Sequence, residues 1–214
     1  MTKKDDTSII LEILKDTYKD AKTALRFSSP FQLLVATILS AQTTDNQVNK
    51  ITDILFQRFS EPQDFASLTP EELEPFIQSC GLYKNKAKNI VKAALLIVEK
   101  YDGVLPQTRE ELMKLPGVGR KTANVVLNNA FGIPALAVDT HVFRVAHRLG
   151  LSNGKNADET ESHLVKIIPP KEWGAAHHWL IWHGRKICTA KNPKCPGCPL
   201  NNYCPTFFQE RGNK

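Results

Sequence analysis

The stretch "LMKLPGVGRKTAN", residues 112–124, joins two helical patterns through Leu115-Pro116-Gly117-Val118-Gly119 and decides how the rest of the chain is read. The first pattern opens on "TREE" (108–111), a threonine followed three residues later by a glutamate, and the second begins near Arg120. Two glycines two positions apart let the backbone come close to another chain, and the N–H groups at the start of the second helix face outward as an anion site. A DNA phosphate would suit that site. The same spacing also fits a plain αα-hairpin whose glycines serve only the turn.

Outward from the hairpin the chain reads as helix after helix. Val48, Ile51, Ile54, Leu55 and Phe59 recur at spacings of three and four, which places them on one helix face. "TPEE" (69–72) sets Thr69 as N-cap, Pro70 at the first helical position and Glu72 to complete a capping box. Further helical stretches fit residues 8–20, 31–41, 84–100, 120–131, 139–149, 157–167 and 173–185. Only "PALAV" (134–138) could be a strand, and it lacks an obvious partner. The fold class is therefore all-α, with about ten helices joined by short Gly/Pro/Asn turns. Neither a low-complexity linker nor a break in charge pattern marks a domain boundary.

With 214 residues and 42% hydrophobic content the chain can bury a real core, which excludes disorder as its main state. A formal charge of +6 points to an anionic partner, although many soluble proteins are basic. The apolar runs "FQLLVATIL" (31–39) and "AALLIV" (93–98) fall well below the ~20 residues needed to cross a bilayer. No membrane span is expected. "MTKKDDTSII" (1–10) leads into no long apolar region, so a signal or transit peptide is not expected and the protein should stay in a reducing, cytoplasmic compartment. There, five cysteines with four crowded into 188–204 argue for metal ligation over a disulfide scaffold. Four thiolates suit zinc or an iron-sulfur centre, although zinc modules more often show two close Cys pairs than the single pair Cys195-x2-Cys198.

Lys121 falls in the first turn of the second hairpin helix, where the helix dipole disfavours a cation. Apolar surroundings would act in the same direction, and a neutral amine is what Schiff-base chemistry needs. A solvent-exposed lysine holding a phosphate is the commoner use of such a residue, and spacing does not separate the two. Asp139, after an apolar run and at a helix start, is a good N-cap; placed near Lys121 it could instead stabilise a cationic sugar or accept the amine's proton.

"SAQTTD" (40–45), "GLYKNKA" (81–87), "LPGVGRKTA" (115–123), "VDTHV" (138–142) and Cys188-x6-Cys195-x2-Cys198-x5-Cys204, in this order, resemble the endonuclease III family of DNA repair glycosylases and AP lyases. The resemblance runs from about Phe27 to Cys204. It implies a helix-hairpin-helix element in which Leu115, Gly117, Val118, Gly119 and Arg120 meet DNA, with Lys121 as nucleophile and Asp139 as its acidic partner. It further implies that Gln42 and Leu82 enter the DNA stack around a flipped nucleotide, that His141 helps order the site, and that Cys188, Cys195, Cys198 and Cys204 hold a 4Fe-4S cluster.

The fold implied is two helical domains flanking a DNA cleft: a six-helix bundle with the hairpin over 25–135, and a discontinuous domain of 1–24 plus 136–214 with the cluster loop at 188–204. The activity implied is a bifunctional DNA N-glycosylase and AP lyase in base excision repair, acting as a monomer on duplex DNA with an oxidised pyrimidine or an abasic site. Two alternatives are a monofunctional glycosylase of the same fold and a non-catalytic helix-hairpin-helix binding protein. An apolar Leu82 in a polar turn makes sense as a wedge, or as a contact following a Gly81 helix cap. Without the resemblance, Gln42 would read as an ordinary polar residue at a helix end. Lys186, Lys191 and Lys194 surround the cysteine loop with positive charge suited to a phosphate backbone. Cys80 reads as a small buried hydrophobe. His177, His178 and His183 with Trp173, Trp179 and Trp182 read as core packing, and Lys84, Lys88 and Lys92 as a solvated helix face.

Overall fold

The computed structural model describes residues 4–212. Twelve α-helices are found among them: α1 (Lys4–Thr17), α2 (Pro30–Leu39), α3 (Asp45–Arg58), α4 (Pro62–Ala66), α5 (Pro70–Ile77), α6 (Tyr83–Tyr101), α7 (Arg109–Leu112), α8 (Arg120–Phe131), α9 (Thr140–Arg148), α10 (Ala157–Ile167), α11 (Trp173–Lys186) and α12 (Pro205–Gly212). Among the described residues there is no strand, and no helix is long and apolar enough to cross a membrane. "PALAV" forms no regular secondary structure, and residues 135–138 are buried in the core. The first helix begins earlier than residue 8, with Asp5 and Asp6 favoured in its first turn, and ends at Thr17 instead of 20.

The chain folds as two units, one of Ala24–Ile133 and one of Met1–Thr23 with Pro134–Lys214. The first contains α2 to α8, seven helices where six were expected: the five-residue α4, with Pro62 at its first position, is the one not read from the sequence, whereas α7, capped by Thr108, is the hairpin's leading arm. Its centre is α2, in which every residue from Phe31 to Leu39 is buried. A helix apolar on all sides needs neighbours on all sides. α2 packs against α3, α6 and α8, while α4 and α5 pack along α6. Edge-to-face contacts of Phe65 with Phe31 (centroids 5.3 Å apart) and Phe59 (6.0 Å) fill the space between them. Both halves of the Thr69/Glu72 capping box form: Thr69 Oγ1 accepts from Glu72 N at 3.3 Å, and Glu72 Oε2 accepts from Thr69 N at 2.8 Å.

The second unit packs α1 and α9 against α11, with α10 against α9. Its core joins Ile10, Leu14 and Tyr18 of the N-terminal segment to Val142, Val145, Leu164, Trp179 and Leu180. His177, His178 and His183 are buried there, and His177 Nδ1 lies 2.7 Å from the Ala137 carbonyl, which ties the "PALAV" segment to α11. Burial pushes His178 down to about 3 and His183 to about 4, which keeps both neutral at ordinary pH.

Candidate functional site

The hairpin turn folds back because Gly117 takes φ +79°, a left-handed conformation open to glycine. A Cβ there would also stand 3.0 Å from Asn89 Cβ on α6, so the turn is held against that helix. Leu115 and Val118 are buried and anchor it, while Gly117 and Gly119 are exposed. Gly119 is the N-cap of α8 and has no side chain to satisfy the first amides, which leaves an anion site at the helix start. Lys121 is exposed in the first turn of α8, so the apolar surroundings considered for it are not found. Lys84, Lys88 and Lys92 are exposed on α6.

Gln42 and Leu82 come together in the same unit. Both are non-glycine residues with left-handed backbones, φ 55° and φ 60°, and Leu82 is 57% exposed. Such conformations cost an L-residue about 1–2 kcal/mol and persist only where surroundings enforce them. The loop after α2 and the loop before α6 abut: a Cβ on Gly81 would lie 3.4 Å from the Gln42 carbonyl oxygen. Gln47 Nε2 donates to Ser79 Oγ at 2.9 Å between the same two regions.

Sequence reading missed Lys86, which is 4% exposed. Its ammonium donates to the carbonyls of Leu39 (2.8 Å) and Ala41 (2.6 Å) and to Thr43 Oγ1 (3.1 Å). Burial lowers its pKa. Helical spacing offered a signal, because Lys86 lies on the face that carries Ile90, Ala93 and Ile97 into the core.

In the other unit, Asp139 is the N-cap of α9, and its Oδ1 accepts from the backbone N–H groups of His141 and Val142, both at 2.8 Å. The capping role is thus real, and both of these cap bonds fall on one carboxylate oxygen. His141 Nδ1 lies 3.1 Å from Arg144 Nη2, whose donors also reach the Gly184 carbonyl.

Cys188, Cys195, Cys198 and Cys204 border one pocket, together with Arg148, His183, Ile187 and Phe207. Burial pushes the Cys198 and Cys204 thiols up, and the neighbouring cysteines add to it. Bare thiolates are therefore disfavoured unless a cationic centre takes their charge. The four cysteines line one shared pocket, and four thiols are a donor set that suits an iron-sulfur cluster. Arg148 Nη1 lies 3.5 Å from Cys188 Sγ and donates to the Thr189 carbonyl at 2.7 Å, and Arg144 Nε donates to the Cys188 carbonyl at 3.1 Å. His183 Nδ1 meets the Tyr18 hydroxyl at 3.1 Å and its Nε2 lies 3.7 Å from Cys198 Sγ. Burial raises Tyr18 to about 12, so its O–H is retained. Lys186, Lys191 and Lys194 are exposed around this loop, while Cys80 is buried elsewhere, at 2% exposure.

Residues 35–170 match the family described as HhH-GPD superfamily base excision DNA repair protein, and residues 188–204 match the iron-sulfur binding domain of endonuclease III. Endonuclease III of Bacillus subtilis (strain 168) is 49% identical over 195 residues, 91% of this chain and 89% of that protein. Endonuclease III of Escherichia coli (strain K12) is 46% identical over 91% of this chain and 92% of its own length. Among solved structures, a non-covalent endonuclease III–DNA complex superposes with a TM-score of 0.95 at 47% identity, covering all of both chains. A trapped endonuclease III–DNA covalent intermediate gives 0.94 at 47% identity, covering 99% of this chain and 100% of that one. A thermostable thymine-DNA glycosylase, 22% identical with a TM-score of 0.87 and covering 96% of this chain and 98% of its own, shares the fold.

Proposed function

Because the chain belongs to the endonuclease III family of base excision repair proteins, we propose that it removes oxidised pyrimidines from duplex DNA and then nicks the strand at the abasic site. It is a DNA glycosylase and AP lyase with a 4Fe-4S cluster. The observation that carries the reading is the exposed Lys121 amine in the first turn of α8, immediately after a glycine turn whose helix start is open to a phosphate.

The neutral Lys121 amine attacks C1′ of a flipped nucleotide, forming an N–C1′ bond as the base leaves with the electrons of the glycosidic bond. Opening of the sugar, with a proton passing to O4′, gives a Schiff base. Loss of the C2′ proton then expels the 3′ phosphate by β-elimination, and water releases the lysine. Asp139 stabilises the developing positive charge and takes up the amine's proton, Oδ2 serving while Oδ1 keeps the helix cap. His141 orders that cap. Gln42 and Leu82 fill the gap left in the stack, and Leu115, Gly117, Val118, Gly119 and Arg120 hold the backbone.

Cys188, Cys195, Cys198 and Cys204 are the ligands of the cluster. When bound, it supplies a four-point cross-link to a segment whose own regular structure is two short 3-10 turns, Cys195–Gly197 and Asn201–Tyr203. One chain acts as a monomer on duplex DNA.

The test is the product from a duplex carrying one thymine glycol. A strand cut on the 3′ side of the lesion, ending in an unsaturated sugar aldehyde, is expected without added base or heat. An intact strand with an abasic site would identify a monofunctional glycosylase, and an unaltered base a binding protein.

A further inference from the structure

Lys86 is one helical turn beyond Leu82, whose carbonyl accepts the Lys86 backbone N–H at 3.1 Å, while its side chain crosses to the loop that carries Gln42. The three donors of the ammonium are matched by three neutral oxygens, and no carboxylate pairs with it among the described residues. A buried cation without a counter-ion is costly, and a methionine would fill similar space without that penalty. Capping the C-terminus of α2 would require only the Leu39 carbonyl. The grip instead extends past the helix end to Ala41 and Thr43, the residues on either side of Gln42. One side chain thus ties the two loops whose left-handed residues are both exposed.

We propose that Lys86 is a positioning residue for base removal: by holding the Ala41 carbonyl and Thr43 hydroxyl from α6, it keeps Gln42 and Leu82 set as a pair to enter the DNA stack. This rests on the reading of Gln42 and Leu82 as the gap-filling residues. Without the ammonium, Gln42 relaxes toward an ordinary backbone and the pair loses its spacing. Chemistry at Lys121 is untouched, because Lys86 reaches no group of the hairpin.

The test compares cluster-loaded wild type with Lys86→Met and with the milder Thr43→Val. Two substrates are used: thymine glycol in duplex DNA, and an abasic site in a single-stranded oligonucleotide, which has no stack to fill. Displacement of a positioning group by about 1 Å costs on the order of 10²-fold. Lys86→Met is expected to lose duplex excision on that scale, Thr43→Val less, while both keep single-strand lyase activity. A 2-aminopurine placed beside the lesion should lose its unstacking fluorescence with Lys86→Met. The triple variant Gln42→Ala/Leu82→Ala/Lys86→Met should be no slower than Gln42→Ala/Leu82→Ala, since Lys86 acts through that pair. Duplex activity of Lys86→Met equal to wild type, equal losses on both substrates, or a further loss in the triple variant would each overturn the proposal. If Gln42→Ala/Leu82→Ala itself leaves duplex excision intact, the gap-filling reading fails, and this inference with it.

Discussion

Gly117 stands against Asn89 so closely that a Cβ on the glycine would lie 3.0 Å from Asn89 Cβ and 3.1 Å from its Nδ2. The hairpin turn and α6 are thereby in register, and α6 also carries Lys86 and begins beside Leu82. A single long helix thus backs the three elements proposed above to meet DNA: the hairpin, the Gln42 loop and the Leu82 turn.

Gly117→Ala should destabilise the protein by about 1–2 kcal/mol, because alanine is strained in a left-handed backbone and must also displace Asn89. At Gly119, with φ −91° and nothing within 4 Å of an added Cβ, alanine should cost less, only the loss of a preferred cap residue. Urea denaturation of the two variants checks the difference. Equal costs would mean that the Asn89 contact does not set the turn.

Iron content should separate the cysteines. Cys195→Ala should purify with little iron and lose the visible absorbance of the cluster, whereas Cys80→Ala should keep both. Arg148→Met, which removes the contacts to Cys188 Sγ and the Thr189 and Ala190 carbonyls, should bind the cluster but release it faster to a chelator. Equal release rates would place the hold on the loop elsewhere.

His178 makes the stability pH-dependent. Its folded pKa is pushed down to about 3 by burial, with His177 and Arg185 adding to it, so between that value and the ordinary 6.5 the unfolded chain binds a proton the native one excludes. Stability from this group is complete above pH 6.5 and falls as pH drops toward 3, by up to about 1.4 kcal/mol per unit. Urea midpoints at about pH 7 and about pH 5 should differ less for His178→Gln than for wild type. An unchanged difference would show that His178 does not carry the effect.

Local signals were the most legible. Thr69, Pro70 and Glu72 form the capping box their spacing announces, α8 and α10 span the residues read as helical, and the run 31–39, too short for a membrane, is the helix buried on every side. What depends on distant partners was not legible. Nothing in "PALAV" says that its Ala137 carbonyl pairs with His177, which is 40 positions away. Lys86 reads locally as one more lysine in "YKNKAK", and only the apolar face it interrupts hints that its ammonium is buried. The order of five short motifs pointed to the family; the positive φ of Gln42 and Leu82 has no sequence signature, since neither is a residue that favours it.

Borohydride trapping on duplex DNA with an abasic site, comparing wild type with Lys121→Ala, tests the central claim most directly. Reduction of the Schiff base should leave a covalent protein–DNA species with wild type and none with Lys121→Ala, and peptide mapping should place the sugar remnant on Lys121. Tight binding by wild type with no trapped species, or an undiminished species with Lys121→Ala, would contradict the account.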